Sequence, residues 1–190
     1  FRGADYDTKA MFRAITNSDL YQSQYRPNGK PAEGLHPVAA CPAPLRADVL
    51  WDSLEHVLGK LGSSQFHTRG GKRFNVSILE GKFKAEFDFD PSLRNEDVEG
   101  TIPQSLFLMN NADLNKRIQA VGKKLLGRVL KESPDDTEAV NGIYLQVLAR
   151  RPTDSELSKC RAYIVRIENR AEAFEDILWA LVNSTEFQTK

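Results

Sequence analysis

The chain has 190 residues, 41% hydrophobic and 27% charged, and Lys+Arg and Asp+Glu balance at 26 each, giving a formal net charge of zero. These proportions are those of an ordinary globular domain and exclude wholesale disorder, a collagen-like repeat and a membrane bundle; no apolar run approaches the ~20 residues needed to span a bilayer. Charge balance also argues against nucleic acid as a partner, because non-specific binding to phosphate backbones rests on clustered positive charge.

The sequence opens at Phe1-Arg2-Gly3-Ala4-Asp5 with neither an initiator methionine nor an apolar signal segment. It is therefore expected to be a single domain, 1–190, cut from a longer polypeptide. Its first part, 1–61, reads as helices with a proline-rich loop. A helix is expected from about Asp7 to Tyr21, carrying Met11, Ala14 and Ile15. Between Arg26 and Pro44 stand Pro27, Pro31, Pro37, Pro42 and Pro44, a stretch poor in backbone donors and so expected as a surface loop over a helical bundle. Leu50, Leu54, Val57, Leu58 and Leu61 then recur at helical spacing, which predicts a helix over 45–61.

From Arg73 to Asp90 the apparent period drops to about 2. Phe74, Val76 and Ile78 alternate with polar residues, as do Phe83, Ala85, Phe87 and Phe89 after Glu80-Gly81. The expectation is a satellite β-hairpin over 72–90 whose phenylalanine face lies on the helices, since two strands alone are marginal.

The stretch 101–188 reads as a helical bundle. Leu114, Ile118, Val121, Leu125 and Val129 suggest one helix from about Asp113 to Lys131. Ser133 is placed to cap the next helix and Pro134 to occupy its first position, followed by the stripe Val140, Ile143, Tyr144, Val147 and Leu148. Arg150-Arg151-Pro152 ends it, with cations near the negative end of the helix dipole. Thr153 and Glu156 form a capping box before Leu157, Cys160, Ile164 and Ile167, and Phe174, Ile177, Leu178, Leu181 and Val182 mark the last helix. The fold class is mainly α: a bundle of about six helices with a small β-hairpin satellite and a Pro-rich surface loop.

Two clusters offer chemistry. Glu86, Asp88 and Asp90 would share one strand face at roughly 6.5–7 Å spacing. Such carboxylates could hold calcium or stand at a glycosidase-like separation, with Trp51 and Trp179 as platforms for a sugar. However, Lys82 and Lys84 continue that face, and exposed strands carry charge to discourage edge pairing, which is the simpler and preferred reading of the strip, as packing beside the apolar stripes is of the two tryptophans. Arg69, Lys72 and Arg73 around Gly70-Gly71 could cradle an anion through glycine N–H groups and three cations, or could simply form a hairpin loop. His36, His56 and His67 lack zinc-ligand spacing, Cys41 and Cys160 lack redox or ligand spacing, and no Gly-x-Ser-x-Gly elbow is present. No cofactor is expected in this chain apart from the calcium alternative.

Three stretches stand out together: Phe87-Asp88-Phe89-Asp90-Pro91-Ser92 running on to Gly100-Thr101-Ile102-Pro103-Gln104-Ser105-Leu106-Phe107-Leu108-Met109-Asn110-Asn111; Ile143-Tyr144-Leu145-Gln146-Val147-Leu148-Ala149-Arg150-Arg151-Pro152-Thr153; and Phe174-Glu175-Asp176-Ile177-Leu178-Trp179-Ala180-Leu181-Val182-Asn183-Ser184-Thr185-Glu186-Phe187. With Phe12 to Ser18, Tyr21 and Leu45 to Asp48, they resemble the C-terminal domain of unknown function of large planctomycete proteins that often carry a cytochrome-c-like domain. The last two stretches are also similar to a short helical module of bacterial surface and linker proteins, in which an Arg-Arg-Pro turn precedes a helix and Ser-x-Glu-Phe ends the unit. The resemblance implies an exported parent protein, periplasmic or extracellular. It implies no activity for any residue, and the chain has no Cys-x-x-Cys-His to hold a c-type haem.

The expected function is that of a non-catalytic helical interaction module of a larger exported protein. It would dock on its own upstream domains or on an extracytoplasmic partner. The alternative is a glycan-binding or glycan-processing accessory domain that uses the acidic strand face and takes a polysaccharide. Neither nucleic acid nor membrane insertion is expected.

Overall fold

A computed structural model describes residues 3, 6–19, 21–22, 44–62, 64–69, 72–90, 92–93, 98 and 100–189. Pro27, Pro31, Pro37, Pro42 and Cys41, and with them most of the expected Pro-rich loop, lie outside the described residues. The chain divides into two units, 1–43 and 44–190.

The first unit contributes helix α1 (Thr8–Thr16), capped by the Asp7 carboxylate, which accepts a hydrogen bond from the Lys9 N–H at 2.8 Å. Its Met11, Phe12 and Ile15 are exposed, and none of its residues is buried. The helix stops five residues before the expected Tyr21. Asn17 becomes the C-cap and the Ser18 hydroxyl donates to the Ile15 carbonyl at 2.7 Å, the local side-chain bonding that disfavours further helix.

The second unit is mainly α. Helix α2 (Ala47–Leu58) buries Leu50, Leu54, Val57 and Leu58, as its spacing predicts, and also Ala47 and Trp51, so its apolar arc is wider than one stripe. A short antiparallel pair follows, β1 (Ser64–Arg69) and β2 (Lys72–Ser77), with Ser64 opposite Ser77 and Arg69 opposite Lys72. The hairpin expected over 72–90 does not form, because Ile78–Phe87 is helix α3.

The reason lies in a spacing of four, which fits a strand and a helix alike. Phe83 and Phe87 stack with centroids 4.2 Å apart, and Phe83 meets Trp51 at 5.2 Å and Phe107 at 5.6 Å. Lys84 pairs with Glu80 one turn earlier at 2.6 Å. Ala85, which a strand would have placed beside the phenylalanines, faces solvent. Leu, Glu, Lys and Ala over this segment are good helix formers, and the aromatic cluster supplies the burial that selects helix.

Helix α4 (Ile102–Asn110) starts in a capping box between Thr101 and Gln104. The Gln104 side chain also donates to the Glu86 carbonyl at 2.9 Å, satisfying an orphan acceptor at the end of α3. The single helix expected from Asp113 to Lys131 is two: α5 (Ala112–Ile118) and α6 (Leu125–Glu132). Between them the chain turns at Gly122 with φ of 63°, and the Ala120 N–H is taken by the Glu175 carboxylate at 2.7 Å. Leu114, Ile118, Leu125 and Val129 are buried as expected, whereas Val121 lies in the turn and is exposed.

Helix α7 (Asp136–Leu148) is capped by Asp135, which accepts from the Glu138 N–H at 2.9 Å. The expected cap, Ser133, instead closes α6 by donating its N–H to the Val129 carbonyl. Helices α8 (Asp154–Arg166), α9 (Arg170–Val182) and α10 (Thr185–Gln188) complete the unit. The Thr153–Glu156 capping box is formed. Among the described residues there are ten helices where about six were expected. Helix α9 packs against α5, α6, α7, α8 and α10, so its Phe174 and Leu178 are fully buried, as are Val140 and Ile143 of α7. Among the described residues no polar or charged side chain is buried.

Gly127 sits where a Cβ would lie 2.5 Å from the Gly122 carbonyl oxygen. Gly127→Ala should therefore destabilise the protein by about 1–3 kcal/mol in urea denaturation, although alanine is intrinsically the better helix former by roughly 1 kcal/mol. A stabilised variant would show that this close backbone approach is absent.

Candidate functional site

The acidic strip does not exist as a strand face. Glu86 is half-buried in the last turn of α3, while Asp88 and Asp90 follow the helix and are exposed. Each aspartate serves its own backbone: Asp88 accepts from the Phe89 N–H at 3.1 Å, and Asp90 accepts from the Ser92 N–H at 2.8 Å and its hydroxyl at 2.7 Å. Those two bonds hold the Asp90 carboxyl below its ordinary range. Trp51, a sugar platform only if it were exposed, is 2% exposed and packed against Phe83, so it takes the packing role open to a residue at the margin of the α2 stripe. Trp179 is half-buried against the core. None of the five lines the hollows at the end of α2, between α2 and α7, or along α8. Arg69, Lys72 and Arg73 have their backbones at the turn end of the β1–β2 pair, and Gly70 and Gly71 lie outside the described residues.

The polar cluster that the fold does build centres on Arg150. Its guanidinium makes two hydrogen bonds to Glu156, both 2.9 Å, and two to Glu186, both 2.6 Å. It also lies 5.6 Å from the centre of the Tyr144 ring. Each bidentate pair uses the planar match between guanidinium and carboxylate, the strongest of side-chain hydrogen bonds. Glu156 is simultaneously the capping-box residue of α8, accepting from the Thr153 N–H at 2.7 Å. Arg150, first of all, and then the Thr153 groups hold the Glu156 carboxyl down at about 2 against the opposing effect of burial. Arg150 follows directly on the C-cap of α7, and from there its guanidinium also joins the starts of α8 and α10.

This arrangement accounts for the two short stretches singled out in the sequence. Arg150 comes from Arg-Arg-Pro and Glu186 from Ser-x-Glu-Phe. Ser184 caps α10 by accepting from the Phe187 N–H at 3.3 Å, and Phe187 is buried. Glu186 escaped sequence reasoning. The available signal was a charge of opposite sign in each of two stretches that stand out together.

A second arginine works similarly. Arg170 pairs with Asp136 at 2.7 Å and donates to the Ser133 carbonyl at 2.9 Å, placing its cation at the negative end of α6. Cys160 is half-buried near Tyr144, and burial pushes its thiol up, away from the thiolate that a nucleophile requires. Among the described residues no group of three His, Cys, Asp or Glu side chains is arranged to hold a metal ion, and no helix is long and apolar enough to cross a membrane.

One surface is apolar where a solvated face should be polar. On α4, Ile102, Leu106 and Met109 follow one another at i, i+4 and i+7 and are 76%, 50% and 41% exposed. The inward face of the same helix buries Leu108 and packs Phe107 on Phe83 and Phe87. Comparison with protein-family models, curated proteins and solved structures finds no match to the chain.

The depressed carboxyl of Glu156 has a pH signature. Its folded-state value lies below the ordinary 4.5, so its contribution to stability is fully present above about pH 4.5 and is lost as pH falls towards about 2. Glu156→Gln should cost about 1–2 kcal/mol at pH 7, from the weakened cap and charge pair. The gap from wild type should close between those two pH values in urea denaturation. A gap that stays constant across that range would place the carboxylate outside the ion cluster.

Proposed function

We propose that this chain is a non-catalytic helical interaction module of a larger exported protein, and that it docks through the outer face of α4 on neighbouring domains of that protein or on an extracytoplasmic partner. The observation that carries this reading is the row Ile102, Leu106 and Met109. Scattered exposed apolar residues are ordinary, but three large ones in register on one helical face form a patch whose burial is worth about 25 cal/mol per Å2. Apolar residues at i, i+4 and i+7 are the anchors by which helices seat in apolar grooves.

The polar residues argue in the same direction. The best-formed cluster, around Arg150, pairs one guanidinium with two carboxylates and knits helix ends together, an arrangement that supports a scaffold. The exported setting follows from the family resemblance alone.

Labelling kinetics test this reading. Leu106→Cys should react readily with a maleimide in the purified chain, and at least about fivefold more slowly in the cells that make the full-length protein, because a docked face excludes solvent. Lys159→Cys, on the exposed side of α8, gives the reference rate in both settings. Equal slowing at both positions, or none at Leu106, would overturn docking through α4.

A further inference from the structure

We propose that a second, independent site lies between the end of α2 and the α5–α6 turn, and that it binds a small phosphate or sulfate monoester carrying an apolar group. An open concavity of about 560 Å3 occurs there, within the range of small-molecule sites. Arg117, Lys123, Lys124 and Arg128 line it together with His56, and no Asp or Glu does. The chain as a whole has equal numbers of acidic and basic residues, so four cations around one hollow are a local segregation of charge.

Arg46, Lys84, Arg150 and Arg170 of this unit are matched by carboxylates, while exposed cations such as Lys60, Lys131 and Arg161 stand in water without one among the described residues; the cations of the hollow differ in facing one another. Among the described residues the side chains of Arg117, Lys123 and Arg128 have no hydrogen-bond or ion-pair partner, and Lys124 donates only to the Lys116 carbonyl. Like charges facing one hollow repel, and a doubly charged oxyanion would relieve that repulsion while accepting several donors.

The backbone builds this arrangement. Gly122 turns the chain at φ of 63°, and the missing Cβ of Gly127 lets the turn lie against α6. Lys123 and Lys124 on the turn are thereby set beside Arg128 in the first turns of α6, with Arg117 on α5 across the hollow. Val57, Leu58, Val121 and Leu125 supply apolar surface to the same hollow. Cations alone would suit a bare inorganic ion. The apolar lining favours a monoester, whose head meets the cations while its substituent covers Val121 and Leu125.

Phenyl phosphate, phenyl sulfate, inorganic phosphate and benzyl alcohol are the probes, titrated into the isotope-labelled 190-residue chain at about 50 mM salt and followed by amide NMR shifts. Saturable shifts should cluster at 56–59 and 117–128. Phenyl phosphate should bind at least about tenfold more tightly than inorganic phosphate, and benzyl alcohol should bind weakest. Phenyl sulfate reports whether one negative charge suffices: binding within about tenfold of phenyl phosphate extends the site to both esters, and much weaker binding confines it to phosphate.

Arg117→Gln with Arg128→Gln should weaken phenyl phosphate about tenfold or more, through loss of charged hydrogen bonds. Lys159→Gln with Arg161→Gln removes the same charge from α8 and should change nothing. Should the first pair perturb the fold by circular dichroism, Lys123→Gln alone serves, with a severalfold loss expected. Unsaturable or scattered shifts, equal weakening by both charge-matched pairs, or no advantage of phenyl phosphate over inorganic phosphate would each overturn the proposal.

Discussion

A single guanidinium governs the C-terminal part of this protein. Arg150 follows Ala149, a non-glycine residue in the left-handed region at φ of 54°, a conformation that costs roughly 1 kcal/mol or more. The strain is accepted because the turn delivers Arg150 to two carboxylates from different helices, Glu156 at the start of α8 and Glu186 in α10. Four short hydrogen bonds then fix the direction in which α8 leaves α7 and the place at which the chain returns. The same return is also held by the Leu45 N–H, which donates to the Gln188 carbonyl at 2.9 Å, and it seats Phe187 in the core. In partly exposed surroundings the net energy of such a cluster is modest, and its main effect is on geometry.

The rest of the bundle answers to that geometry. Helix α9 lies amid five other helices and buries Phe174, Ile177 and Leu178. Arg170 at its start repeats the device of Arg150 at a second corner, binding the carbonyl end of α6 and the first turn of α7. The other pole of the core is aromatic, with Phe83, Phe87 and Phe107 in mutual contact and Trp51 against Phe83. The outer face of α4 and the basic hollow at the α5–α6 turn both stand on this framework, the first on the aromatic pole and the second on the Gly122–Gly127 approach. Rigid elements beneath a surface are what allow it to be presented in one shape.

The parts of the fold that were legible in the sequence are those where one physical signal acts alone. The stripes of α2, α7 and α9 and the Thr153–Glu156 capping box needed only helical spacing and cap chemistry. The misreadings occurred where two signals compete. Phe83 and Phe87 fit both periods, and the contacts of Phe83 with Trp51 and of both with Phe107, distant in sequence, tip the balance to helix. The break between α5 and α6 turns on Gly122 and Gly127, whose close approach is a tertiary fact. Trp51 stands beside the stripe of Leu50, Leu54, Val57, Leu58 and Leu61 and is buried because the neighbouring α3 extends the buried arc. Site residues were less legible still, since the acidic strip depended on the mistaken strand and the cations of the hollow come from separate elements.

These corner contacts also give the signature stretches a physical meaning. Arg-Arg-Pro and Ser-x-Glu-Phe hold packing, capping and charge-pairing residues that meet at one corner of the fold. A double-mutant cycle on Arg150→Met and Glu186→Gln tests that most directly, by comparing the stability of both single variants and the double variant in urea. The account predicts a coupling of about 1–2 kcal/mol between the two positions. Additive effects, with a coupling near zero, would contradict it and leave the α7–α8–α10 corner held by apolar packing alone.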